Sequence, residues 1–251
     1  YDLVDVTRQV LSDLYARLYI QLAGYLQRRG LSARGGGGEP LPTGGIRTPA
    51  EAEARMAELE GLISDVDRLL GTQEWLLLGR WIGMAREWGG TAAEKAYLEF
   101  NARNVLTLWG PNGEIADYAS KQWNGLLSDF YLPRWRLFFS SVREALASDA
   151  PLDEEAFRQA LLHQERAWQT KTTPTFPAQP VGDTVAIVAE LRARYGAAIR
   201  ATAREDVYAV PEAAYVVHAP GADVLSASEG EAGGAGEEPE IRAGVARPDG
   251  R

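Results

Sequence analysis

The stretch Asn101–Phe139, NARNVLTLWGPNGEIADYASKQWNGLLSDFYLPRWRLFF, decides how this chain folds. On its near side Tyr97, Leu98, Val105 and Leu106 recur at helical spacing and stop near Leu108. Pro111-Asn112-Gly113 then supplies turn chemistry: proline presets φ, asparagine suits the next position, and glycine tolerates positive φ. Helix is expected to resume near Ile115 and continue to about Phe130. Pro133 starts another, through Trp135, Leu137, Phe138 and Val142. Trp109 leaves a helix just before the turn, so its flat face lies near a loop. Such faces suit the C–H side of pyranose rings, and the indole N–H can bond a hydroxyl. The same placement also suits a residue that closes the bottom of a helical core. Asp117 and Tyr118 read two ways as well: contacts to a ligand hydroxyl, or a helix cap and a packed ring.

Working outward, every strong pattern is helical. Leu11, Leu14, Leu18, Leu22 and Leu26 belong to an apolar stripe that starts at Leu3, which predicts a helix over about 2–28 ended by Gly30. GGGGEPLPTGG (35–45) reads as a flexible loop. A second helix is expected over 50–70, with Leu59, Leu62, Ile63, Val66, Leu69 and Leu70 inward. A third is expected over 73–88, with Trp75, Leu78, Ile82 and Ala85 on its stripe. Thr91-Ala92-Ala93-Glu94 fits a capping box. Asp153 begins a helix carrying Phe157, Leu161 and Trp168, and Asp183 caps the last one, to about Ile199. No convincing strand is visible before residue 200. The chain therefore reads as all-α, with about seven helices over 1–200. Residues 201–251 read as a largely disordered acidic tail, since its later part has too few large apolar residues to offset ordering entropy.

Composition narrows the partners. The formal charge is −9, and ten acidic residues against three arginines fall between Glu205 and Arg251, so the body is close to neutral. That balance argues against nucleic acid, which needs clustered cations. There is no cysteine and only two histidines, His163 and His218, so neither a thiolate nor a histidine-rich metal site is expected. GDTVAIVAEL lacks the Gly-x-Gly spacing of a phosphate loop, and no cofactor is expected. No run approaches the ~20 apolar residues of a membrane span. YDLVDVTRQVL is not a signal peptide and begins inside an amphipathic pattern, which reads as a piece of a longer chain.

Carboxylates matter because glycoside hydrolysis needs two of them, about 5–5.5 Å apart for retention or ~6.5–9.5 Å for inversion. Glu114 and Asp117 are the loop-borne pair nearest the aromatics. Glu94, Glu99, Asp153, Glu154 and Glu165 fit helix caps or solvated faces better. No complete catalytic pair is expected. Arg134 and Arg136 flank Trp135 near a helix start, where cations are disfavoured. A buried carboxylate partner, Asp117 or Glu165, would account for Arg134 and Arg136 there.

Six blocks carry a resemblance: YDLVDVTRQ (1–9), LLLGRWIGMA (76–85), NARNVLTLWGP (101–111), DYASKQW (117–123), YLPRWRLF (131–138) and GDTVAIVAEL (182–191). Over about residues 1–200 the chain resembles the C-terminal helical domain of the alpha-N-acetylglucosaminidases, glycoside hydrolase family 89. The resemblance implies a retaining, exo-acting hydrolysis of terminal α-linked N-acetylglucosamine, with heparan sulfate as the animal substrate. It implies that both catalytic glutamates lie on a separate barrel domain and that this domain lines one side of the cleft. Trp109, Ile115 and Tyr118 would face that cleft as substrate-binding residues, and the chain alone would be inactive. A lysosomal, vacuolar or secreted location would follow. Two other readings stand beside it: a non-catalytic carbohydrate-binding or protein-interaction module, and a self-contained enzyme using Asp117 and Glu114.

Overall fold

The computed structural model describes residues 1–32, 40–109, 115–116, 119–172 and 175–203. The expected tail beyond residue 203 and the glycine run 35–38 lie outside these residues. Among them are seven α-helices: α1 (Asp2–Arg28), α2 (Pro49–Leu70), α3 (Leu78–Glu87), α4 (Ala92–Leu106), α5 (Leu132–Ser148), α6 (Glu154–Gln169) and α7 (Thr184–Thr202).

The larger core forms where α1 and α2 run antiparallel. Gln21 of α1 meets Arg55 near the start of α2, and Leu11, earlier in α1, lines the same cleft as Val66 near the end of α2. Leu14, Leu22 and Leu26 of α1 and Leu59, Leu62 and Leu69 of α2 are fully buried against Phe139 and Val142 of α5 and Leu191 of α7. Burying side chains of this size stabilises by about 1.5–3 kcal/mol each, which is why the leucine stripes decide the packing. The first turns of α1 are different: Leu3, Val6 and Val10 are exposed. The helix ends on Gly30 at φ +68, where the amides of Gly30 and Leu31 bond back to the carbonyls of Gln27 and Leu26. Leu31 and Leu26 are buried at that stop, the hydrophobic contact usual for this motif.

The segment after residue 39 is less free than its composition suggests. Leu41 and Ile46 are buried, the Leu41 amide donates to Gln27 Oε1 at 3.1 Å, and Arg28 donates to the Ile46 carbonyl. The caps expected at Thr91, Asp153 and Asp183 form, and Thr48 adds one that the sequence reading does not name. Thr48 and Thr91 form complete capping boxes with Glu51 and Glu94, and Asp153 and Asp183 accept amides at the starts of α6 and α7.

A second, smaller core joins Leu78 and Ile82 of α3, Leu106 of α4, Leu126, Phe130 and Trp168 of α6. Tyr131 packs against both cores. Here three expectations need correction. Trp75 is exposed, because α3 begins only at Leu78 and Trp75 lies on a short 3-10 turn, Glu74–Leu76. A strand pair exists: β1 (Leu108–Trp109) runs antiparallel to β2 (Ile115–Ala116). Helix does not resume at Ile115, since Ser120–Trp123 has no regular structure and helical turns begin at Leu126. Leu127–Tyr131 is then a π-helical turn, with the Leu132 amide bonding five residues back to Leu127. Pro133 explains it. Proline has no N–H for the Asp129 carbonyl, and its ring would press on that carbonyl in a regular helix. Widening the preceding turn relieves the clash.

Candidate functional site

The β1–β2 hairpin is the candidate site; a buried polar cluster lies just before it at Thr107, and a partly buried one follows later in the chain at Asn124. In its register Leu108 faces Ala116 and Trp109 faces Ile115. Two of the three residues expected at a cleft therefore sit opposite one another on the backbone. The third, Tyr118, lies outside the described residues, as do Glu114 and Asp117.

On the entry side, α4 stops at Thr107, whose backbone leaves the helical region at φ −126, ψ −87. Thr107 is fully buried; its hydroxyl donates to the Arg103 carbonyl and accepts from Gln169 of α6. Gln169 also bonds Asn104 at 2.8 Å. One turn back, Arg103 is 1% exposed. It donates twice to Glu99 Oε1, at 3.1 and 2.9 Å, and lies over the Trp168 ring at 4.6 Å. Arg86 of α3 holds the other Glu99 oxygen at 2.6 Å. Glu99 is thus not on a solvated face, as its helical spacing suggested. It is the shared anion of two guanidiniums that tie α3, α4 and α6 together.

On the exit side, Trp123 packs on Trp81 of α3 at 5.7 Å, and the Trp81 indole donates to the Ala102 carbonyl at 3.0 Å. Next comes Asn124. Its amide donates to the Leu76 carbonyl at 2.8 Å and its carbonyl accepts from Leu78 at 3.0 Å, a bridge that holds the start of α3. Its side-chain amide reaches both the carbonyl and the carboxylate of Asp67. Asp67, buried near the end of α2, also accepts from the amides of Gly125 at 2.7 Å and Ser128 at 3.1 Å. A carboxylate from a distant helix thereby caps the helical segment that follows the hairpin. Gly125 takes φ +84 with the Phe176 ring against it, where a side chain would be strained and crowded. Burial pushes the Asp67 carboxyl above its ordinary value, against the pull of these donors.

Farther along, Arg134 lies 2.9 Å from Glu165, whose side chain is 1% exposed. This is the buried pairing expected for Arg134, with Glu165 as the partner and not a solvated acid. Arg136 pairs instead with Glu60 near the surface, at 2.8 Å. Asp129, on the π turn, accepts from the Trp168 indole at 2.8 Å and pairs with Lys171. Sequence reasoning missed Asp67, Asn124 and Asp129. Only the Asn124-Gly125 dipeptide carries a signal for them, as a turn. Among the described residues, no three His, Asp or Glu side chains group as a metal site, and no helix is long and apolar enough to cross a membrane.

Comparison with known proteins decides the family. A model of the alpha-N-acetylglucosaminidase (NAGLU) C-terminal domain matches residues 1–194. The chain belongs to that family. It is 33% identical over 196 residues to the alpha-N-acetylglucosaminidase of Homo sapiens, which covers 78% of this chain and 24% of that protein. The domain thus spans about a quarter of the length of that relative. Its fold is shared by the family 89 glycoside hydrolase of Clostridium perfringens. Two solved structures of that enzyme, one with its substrate GlcNAc-alpha-1,4-galactose and one with PUGNAc, superpose with a TM-score of 0.60. They are 24% and 23% identical to this chain and cover 77% of it and 20% of theirs.

Proposed function

We propose that this domain forms one wall of the substrate cleft of an exo-acting alpha-N-acetylglucosaminidase that removes terminal α-linked N-acetylglucosamine from glycans of the heparan sulfate kind. The catalytic glutamates belong to the family's barrel domain, which is the domain's partner. The enzyme works in a lysosome or vacuole or outside the cell. Trp109, Ile115 and Tyr118 contribute the contacts to the sugar. The observation that carries this reading is the hairpin itself: a two-residue strand pair with Trp109 opposite Ile115, which leaves a buried cluster at Thr107 and precedes the Asn124–Asp67 cluster. Anchoring the chain in the interior where it enters the hairpin helps to position a sugar ring, because misplacement of a bound substrate is costly in rate.

The test joins this domain to its barrel and measures a melting curve and kinetics on one sample. Trp109→Ala is expected to lower kcat/KM by the equivalent of about 1–3 kcal/mol, as loss of an aromatic stacking contact does, with little change in melting temperature. A large fall in melting temperature with normal kinetics for the folded fraction would make Trp109 a core residue. The 251-residue chain alone is expected to leave a chromogenic α-N-acetylglucosaminide intact. Turnover lost on changing Asp117 or Glu114 would move the active site into this domain.

A further inference from the structure

Over its first three turns α1 is apolar on two sides. Val4 and Leu11 belong to the larger core, while Leu3, Val6 and Val10, at three- and four-residue steps, form a second stripe beside them. That second stripe is open: Leu3 is 46%, Val6 63% and Val10 37% exposed. Farther along, the same side of the helix is covered. Gly24 follows Val6 by about five full turns at 3.6 residues each, and so faces the same way. The Leu41 and Pro42 carbonyls lie so close to it that a Cβ there would collide with them. Every residue from Ile20 to Leu26 is buried. A helix that is apolar all round is a buried helix. The second half of α1 meets that condition, and the first half lacks its cover among the described residues. Valine is one of the weaker helix formers, so Val6 and Val10 on a permanently wet face would weaken α1 without any compensating contact. The Val181 amide bonds the Gly71 carbonyl just past α2, so Val181 and Val185 add exposed apolar surface at the same end of the bundle.

The family says what occupies the stripe. The matching model is of a C-terminal domain, and this chain spans 24% of the human relative. In that relative most of the chain therefore runs ahead of the domain, on the side of α1. We infer that Leu3, Val6 and Val10 dock against the part of the same glycosidase that precedes this domain. Arg8 and Ser12, in the same turns, bond Gln122 in the segment after the hairpin, so the docked helix is tied to the candidate site. The inference rests on the reading of this chain as one wall of a glycosidase cleft, and it names the surface that joins that wall to the rest.

The test compares hydrogen exchange in the 251-residue chain with that in the full-length glycosidase, which joins this domain to its barrel. The amides of Val6–Leu11 are expected to exchange at least about 10-fold more slowly in the full-length enzyme, with a smaller change at Leu22–Leu26, which are buried already. Val6→Glu then puts a charge into the contact. In the chain alone it should leave the melting temperature unchanged or raise it, because glutamate is the better helix former and suits the first turns of a helix. In the full-length enzyme it should lower the melting temperature and restore most of the fast exchange. If that variant does not fold at full length, Val6→Ala trims the contact and reads the same exchange. Equal exchange at Val6–Leu11 in the two unmodified proteins overturns the inference, and so does a Val6→Glu effect that is the same in both. Protection already present in the chain alone and growing with its concentration would give the stripe to a second copy and overturn it too. No readout here uses turnover, so an enzyme that leaves α-N-acetylglucosaminides intact would sink the sugar-cleft reading and still report on the docking.

Discussion

Asp67 shows how much one buried side chain does in this domain. It accepts from Gly125, Ser128 and Asn124, donors that all lie on the segment after the hairpin. Asp67→Ala leaves the buried Gly125 amide and the partly buried Ser128 amide without their acceptor and is expected to cost about 1–3 kcal/mol by chemical denaturation. Its charge can be followed separately. Burial raises its carboxyl above the ordinary 3.8, so the folded chain keeps that proton to higher pH than the unfolded chain does. The stability this group contributes is fully present below the unfolded value and is lost as pH rises through the folded one. The parent should therefore lose ground against Asp67→Asn as pH rises from below 3.8 toward neutrality. The same slope in both proteins would show that the carboxyl is not perturbed by burial. Nothing in the sequence singled out Asp67: an aspartate at position 67 of an amphipathic helix looks like any solvated charge, and its partners lie more than fifty residues away.

Helices were legible where the chain announces them locally. Thr91 with Glu94, Asp153 and Asp183 mark starts by side chain, and Gly30 marks a stop, because capping is a contact within four residues. The leucine stripes gave the inner faces of α1 and α2 for the same reason. The segment after Ile115 was not legible. Two-residue strands are too short to show alternation, and ADYASKQW has helical composition although its described part, Ala119–Trp123, forms no helix and runs into Asn124, which pairs with Leu76 and Leu78. Glu99 and Arg103 are four apart, the spacing of an exposed helix pair, and nothing local reports that Trp168 covers them. The candidate site follows the same division. The turn residues pointed to Trp109 and the family resemblance to Ile115, whereas the clusters on either side of their hairpin are tertiary. Pairing across elements also sets what α5 and α6 tolerate. Glu165→Ala removes the carboxylate 2.9 Å from the Arg134 guanidinium, beside Phe130 and Tyr131, and is expected to cost about 3–5 kcal/mol. Replacing both Arg134 and Glu165 with leucine should recover most of that loss in the same denaturation experiment, since the burial cost of two charges disappears together. A double variant as unstable as the single one would show that each charge serves its own partners.

Across the whole molecule, α6 and the π turn place residues in both cores, Leu161 and Leu127 in the larger and Trp168 and Phe130 in the smaller, and Tyr131 and the Asp67–Asn124 bonds lie where the two meet. Asn124 is the only one of these that touches α2 and the α3 entry at once. Asn124→Ala should therefore let the smaller core open on its own. Hydrogen exchange is expected to speed up in α3 and α4 while α1 and α2 keep their protection. Uniform acceleration in all four helices would mean that the cores unfold only together. The π-helical turn has a different kind of consequence, one of chain length. A five-residue step in place of four means that the helix carries a spare residue. Ser128 is its exposed member. Lineages of this domain could lose that residue and keep both flanks of the helix in phase, which no deletion inside α1 or α2 would allow, since one residue there turns all that follows by about 100°. The loss is expected to be tolerated only when Pro133 has already been replaced, so the order of the two events is fixed: proline first, deletion second. Deleting Ser128 in the parent should give insoluble protein, and the same deletion in Pro133→Ala should give a folded one by circular dichroism.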